Sequence, residues 1–231
     1  LFRHGGRRKG AGRKPKGSRA GARHETRPEL AGTEALHVVL RVADGVGSLR
    51  EPAVYGAIQR ATKLARERGR FRIVQLSIQR THVHMLVEAD NKEKLAAGMH
   101  GFEISAARRI NTVLGKDGNR RCGKVFADRY HLVVITSPRR ARRVLAYVML
   151  NWRRHGEDRK PDARSWMVDA YSSARSFPHW LELEHACVMT PAVPTYGALE
   201  VCAPRTWLLS AGWRKGGPIS AFEVPGPMPR A

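Results

Sequence analysis

Cysteine is scarce in this chain, and so is negative charge. The 231 residues hold three cysteines, Cys122, Cys187 and Cys202, far apart and with no CxxC pair. That spacing gives no support to a zinc ribbon or finger, and an odd, sparse set fits a reducing cytosol. Only 20 acidic residues face 42 lysines and arginines, a formal net charge of +22. Such an excess speaks to partners rather than to fold, and the first candidate partner is nucleic acid. No run approaches the ~20 apolar residues that a membrane-spanning helix needs. No apolar segment of the signal-peptide kind follows the basic start. A membrane is therefore not expected as a partner, and the expected location is cytoplasmic, beside the nucleoid. The first residue is Leu, which points to a truncated N-terminus or an alternative start codon.

The charge is unevenly placed. The first 23 residues carry nine Lys/Arg and no acid, with glycine between them. Such a segment cannot bury enough apolar surface to order itself, so residues 1–32 read as a basic disordered tail. The rest of the chain stays basic without it. Residues 33–156 read as one domain. A β-branched strand over 36–42 precedes a helix opened by Pro52 and running to about 68, with apolar positions at helical spacing. Strands at 71–79 and 82–89 lie too close in sequence for anything but an antiparallel hairpin. A long helix over 91–114 follows, then a Gly- and Arg-rich loop. A fourth strand, irregular at its start, spans 125–135. Ser137-Pro138 supplies an N-cap and a proline at N1 for a last helix to about 154, ended by Gly156. The order β-α-β-β-α-β-α matches a ferredoxin-like split βαβ fold, an α+β antiparallel sheet backed by helices, with one helix added. Residues 157–231, punctuated by proline, read as an irregular C-terminal appendage with a short helix near 207–213.

Two local patterns carry chemistry. In the strand Thr81-His82-Val83-His84-Met85-Leu86-Val87-Glu88, side chains two apart leave the same face, so His82 and His84 project together. Two imidazoles on a rigid strand are two-thirds of a metal site. In the last helix an apolar stripe runs through Val144, Leu145, Val148 and Trp152, while Tyr147 and Asn151, four apart, share a ridge with Arg143 and Arg154. If that ridge faces the histidines, the set is two imidazoles, an amide oxygen and a phenol, which suits phosphoryl transfer. A divalent ion polarises a phosphodiester oxygen, and a phenol, weak at its free pKa of ~10, attacks in line when a metal or arginine favours its ionised form. The covalent phosphotyrosine conserves the bond energy, so strands rejoin without ATP.

These patterns, in this order, resemble the HUH single-tyrosine transposases of the IS200 type, and most closely the branch associated with repetitive extragenic palindromes (REP). Leu36-His37-Val38-Val39-Leu40-Arg41-Val42, the histidine strand, Val125-Phe126-Ala127-Asp128-Arg129-Tyr130-His131 and Tyr147-Val148-Met149-Leu150-Asn151 carry the resemblance. Arg8-Lys9-Gly10-Ala11-Gly12-Arg13-Lys14 and Thr206-Trp207-Leu208-Leu209 extend it towards both ends. It implies metal ligands His82 and His84 and nucleophile Tyr147. The third-ligand position, glutamine in familiar IS200-type relatives, is Asn151 here, one methylene shorter. The implied cofactor is Mg²⁺ or Mn²⁺, although two histidines and an oxygen also suit zinc. The implied activity is that of a bacterial DNA strand transferase and endonuclease that cleaves single-stranded or hairpin DNA and becomes linked to its 5′ end. The relatives act as monomers or homodimers.

Each assignment has a plainer counterpart. A His-x-His in a strand is most often a surface or hydrogen-bonded pair, and a helical tyrosine most often packs. Tyr130 is the rival nucleophile, or a residue that stacks on a base. His37 and His131 read as structural or phosphate-contacting. Arg13, Lys14 and Lys16 belong to a non-specific electrostatic arm, with minor-groove insertion as the sharper alternative. Arg129, Arg139, Arg140, Arg142, Arg143 and Arg154 read as contacts to a DNA backbone. The competing functions are a domesticated nucleic-acid-binding protein that does not cut, a nuclease without a covalent step, and a relaxase-type enzyme. Relaxases commonly place the tyrosine before the histidines, unlike this chain.

Overall fold

The computed structural model of the chain describes residues 28–66, 70–161, 163–185 and 197–227. The basic tail with Arg13, Lys14 and Lys16, the glycine after the first helix and Cys187 lie outside the described residues. Four strands, β1 (Ala35–Arg41), β2 (Phe71–Ile78), β3 (His82–Ala89) and β4 (His131–Ile135), form one antiparallel sheet in the order β2-β3-β1-β4. Helices α1 (Pro52–Arg66), α2 (Lys92–Val113) and α3 (Pro138–Arg154) complete the expected α+β arrangement. A four-residue helix, α4 (Trp207–Ser210), follows in the C-terminal region.

Both faces of the sheet are covered, and alternation along β3 shows how. Val83, Met85 and Val87 join a core with α1 and α2 residues such as Ile58, Leu95 and Phe102. Leu86 joins a second core with Ala35 and Ile135 under Val144, Leu145, Val148 and Met149 of α3. Full burial of each such side chain is worth roughly 1.5–3 kcal/mol, so α3 is held to the histidine-bearing face by several independent contacts. The first core closes tightly. A Cβ on Gly98 of α2 would stand 2.1 Å from the Phe71 ring of β2.

The ends of α3 follow from local chemistry. Ser137 is extended and its hydroxyl accepts from the Arg140 amide at 3.3 Å, with Pro138 supplying the first helical φ. Gly156 ends the helix with φ +66°, a left-handed conformation that glycine adopts without Cβ strain.

Two features differ from expectation. The fourth strand begins at His131, not Val125. Residues near Phe126 still pair with the end of β1, through Ala127 N–H to Arg41 O at 2.9 Å and a bridge from Phe126 to Val42. From there to the pair Val39–His131 the chain takes five steps while β1 takes three. The surplus is extruded as a bulge that exposes Asp128 and Arg129. Trp152 also leaves the α3 stripe. It is fully buried in the α1–α2 core, its ring 6.3 Å from that of Trp166.

The C-terminal region is fastened to the sheet and to α3. Phe177, Trp180, Leu209, Trp213 and Ile219 share the α3 core. Arg50 holds the fully buried Asp169 through two bonds of 2.9 and 2.8 Å. The buried Glu88 carboxylate on β3 accepts from the amides of Arg205 and Thr206 and from the Thr206 hydroxyl. Among the described residues no helix is long and apolar enough to cross a membrane.

Candidate active site

The histidines of β3 face α3. His82 and His84 leave the same side as Leu86, and their rings meet edge-on with centroids 4.7 Å apart. Register adds two residues from β1. Arg41 lies opposite His82, and His37 opposite Leu86, so His37 is a diagonal neighbour of His84 on that face. The His37 Nε2 and His84 Nδ1 atoms are 3.2 Å apart.

Helix α3 brings its polar ridge onto this patch. The Tyr147 ring stands edge-on to His84 at 5.2 Å and to His37 at 6.2 Å. Two turns on, the His155 ring lies 5.8 Å from that of His82. Asn151 sits midway along the ridge between these contacts and is 0% exposed. Among the described residues its amide oxygen and nitrogen have no hydrogen-bond partner, and neither does the buried Nε2 of His84. Buried polar atoms left unpaired cost about 1–3 kcal/mol each, so all three call for an explanation.

Burial holds the imidazoles neutral. His37 is lowered to about 4, by burial first and then by His131 and Arg140. His82 is lowered to about 4 by burial, His155 and Arg41. His84 is pushed well below the usual histidine value by burial first and then by the three neighbouring histidines. Neutral rings keep a lone pair, the form in which histidine binds a metal. Tyr147 goes the other way. Burial raises its phenol, and Arg154 opposes this without prevailing. The arginine acts in the expected direction, yet the phenol keeps its proton at neutral pH.

The residues singled out from sequence therefore separate. His82, His84 and Tyr147 come together, and Asn151 follows Tyr147 by one turn of α3. Arg139, Arg143 and Arg154 are exposed along α3, and Arg140 is half-buried near His37. Arg129 is exposed on the bulge, while Tyr130 packs against the α1–α2 core on the opposite face of the sheet from the histidines. Arg142 is bound by Glu223 through two contacts of 2.7 and 2.6 Å. Sequence reasoning passed over Arg41 and His155 and gave His37 only a general role. The signals were present: Arg41 shares strand parity with His37, and His155 continues the four-residue spacing from Tyr147 and Asn151. Among the described residues no group of three or more His, Cys, Asp or Glu could hold a metal ion.

The family described as "Transposase IS200 like" matches residues 34–151, from the start of β1 to Asn151. No curated protein matches the chain. Among solved structures, a REP-associated tyrosine transposase bound to a REP hairpin superposes with a TM-score of 0.50 at 13% identity, covering 78% of this chain and 94% of its own. At that identity the likeness establishes the fold alone. The family match spans half of the chain and every residue of the histidine–tyrosine cluster except His155: the chain belongs to the IS200-like transposases, enzymes that cut and rejoin DNA.

Proposed function

We propose that this transposase cleaves single-stranded DNA beside a hairpin, with Tyr147 as nucleophile and a divalent cation, Mg²⁺ or Mn²⁺, held by His82, His84 and Asn151. The observation that carries the reading is the meeting of Tyr147 with His84 next to buried donors that no protein group satisfies. Those donors fit the ion. An imidazole nitrogen and an amide oxygen, both buried and unpartnered, are a mixed N/O set suited to a first-row or hard divalent cation. When bound, the cation would polarise a non-bridging phosphodiester oxygen.

The remaining steps belong to the chain's own groups. Arg41 and Arg154, beside His82 and Tyr147, attract and orient the phosphate. The Tyr147 oxygen attacks phosphorus, the P–O3′ bond breaks, and the 5′ side stays on the protein as a phosphotyrosine. The phenol loses its proton as it attacks, and the departing 3′ oxygen gains one to leave a free hydroxyl. Attack by another 3′ hydroxyl reverses the step and joins strands, releasing the tyrosine. The relative of similar fold was solved on a REP hairpin; a hairpin next to a single strand is accordingly the substrate proposed here, met in the cytoplasm at the nucleoid.

The test incubates full-length protein with 5′-labelled and 3′-labelled hairpin single strands and Mn²⁺. A denaturing gel should show protein covalently joined to the fragment carrying the 5′ end of the cut. Binding without nicking, at any divalent ion, would identify a DNA-binding protein that has lost cleavage. Nicking with no adduct would identify a nuclease that does not use the tyrosine.

A further inference from the structure

His37 contributes no side chain to the proposed metal, yet it is 3% exposed and faces His84, the more buried of the two histidine ligands. Its Nε2 lies 3.2 Å from Nδ1 of His84. The two ring planes are within 13° of each other, and the centroids, at 5.4 Å, are farther apart than the nitrogens. The rings therefore meet edge to edge in nearly one plane, the geometry of an N–H···N hydrogen bond rather than of face stacking. Two lone pairs facing each other at this distance would repel, so one hydrogen lies between the two nitrogens, and it belongs to one ring or the other.

The choice decides what His84 can do. If His37 donates, Nδ1 of His84 is the acceptor, its hydrogen sits on Nε2, and that atom is a buried donor unable to bind a cation. If His84 donates from Nδ1, Nε2 carries a lone pair. Nε2 is the atom left buried with no protein partner. Resting on the metal site proposed above, we infer that His37 is a positioning residue: it accepts the Nδ1–H of His84, fixing that tautomer and ring orientation so that Nε2 is presented to the ion. Partners of this kind commonly change metal affinity 10–100-fold. Here the partner is an imidazole, held in place by β1 pairing with β3 on one side and β4 on the other.

Two measurements on full-length protein decide this. The first needs no metal. Long-range ¹H–¹⁵N spectra of the imidazoles, with His84 assigned through its loss in His84→Gln, should show His84 with hydrogen on Nδ1. Hydrogen on Nε2 overturns the role. The second is Mn²⁺ affinity by electron paramagnetic resonance titration. His37→Ala should bind about 10–100-fold more weakly than the wild type. His37→Gln, whose amide oxygen reaches the place of Nε2, should recover most of that loss, and His37→Asn, which mimics the other nitrogen, should not. Equal affinity in folded His37→Ala and wild type overturns the role while leaving the metal site standing. A wild type that binds no Mn²⁺ overturns the metal site, and this role with it. If His37→Ala does not fold, the wild-type tautomer and the Gln/Asn contrast carry the decision.

Discussion

The ring of Tyr147 stands edge-on to that of His84, the planes at 89° and the centroids 5.2 Å apart. The phenol is thereby set beside the histidine pair by α3, an element packed over its whole length, and not by a loop. Tyr147→Phe keeps the ring and removes only the hydroxyl. Covalent adduct should fall below detection on a denaturing gel, binding of hairpin DNA should persist, and stability should change by less than about 1 kcal/mol. Tyr130→Phe, altered on the opposite face, should form adduct at the wild-type level. Adduct surviving in Tyr147→Phe would remove the nucleophile assignment.

Asn151 sets stability against function. Its amide is fully buried and has no protein partner among the described residues. Asn151→Leu is nearly the same size and removes the polar atoms. Metal-free protein should be as stable as the wild type or more so, by up to about 1–3 kcal/mol, while Mn²⁺ binding and cleavage are lost. A marked fall in Tm together with intact Mn²⁺ binding would show that the amide serves packing.

The buried imidazoles make the metal-free fold sensitive to acid. His37 and His82 titrate near 4 when folded, and His84 is also lowered well below its usual value, against about 6.5 in the unfolded chain. Between these values the unfolded state binds more protons, so stability is fully present above about pH 6.5 and is lost as pH falls towards 4. For His37 alone the effect reaches on the order of 3 kcal/mol. Thermal melts in the presence of a chelator should show Tm falling through this window, and His37→Gln should flatten the slope. An unchanged Tm from pH 6.5 to 4.5 contradicts neutral burial.

Glu88 anchors the C-terminal region. Its carboxylate accepts from two amides and a hydroxyl and lies 3.4 Å from Arg72 Nε. Glu88→Ala strands those donors and should cost about 3 kcal/mol or more in urea denaturation. Glu88→Gln, which keeps one acceptor oxygen, should cost less.

The arginines of α3 should divide by engagement. Arg143 is exposed, whereas Arg142 is held by Glu223. Arg143→Gln should weaken single-strand binding and reduce the salt slope by about 0.7. Arg142→Gln should lower stability and leave the slope unchanged. Equal slopes for both variants would place the DNA elsewhere.

Much of this was legible in the chain itself. Strand alternation put His82 and His84 on one face, helical spacing put Tyr147 and Asn151 on one ridge, and Ser137-Pro138 and Gly156 bounded that ridge. The bulge before His131 was not legible, because it depends on how two distant segments share the edge of β1. Nor was the departure of Trp152 into the other core, or the loss of Arg142 to a glutamate 81 residues away.

What the sequence determined by itself is which side chains share a face of one element, since backbone geometry makes that periodicity local: period two for the histidines, nearly four for the tyrosine and asparagine. Only the tertiary structure decided which faces meet. Strand register, set by burial on both sides of the sheet, laid His37 and Arg41 beside the histidine pair. Apolar contacts on either side of the ridge then turned α3 so that Tyr147, Asn151 and His155 lie over it, because many long-range contacts together fix an orientation that no local pattern encodes.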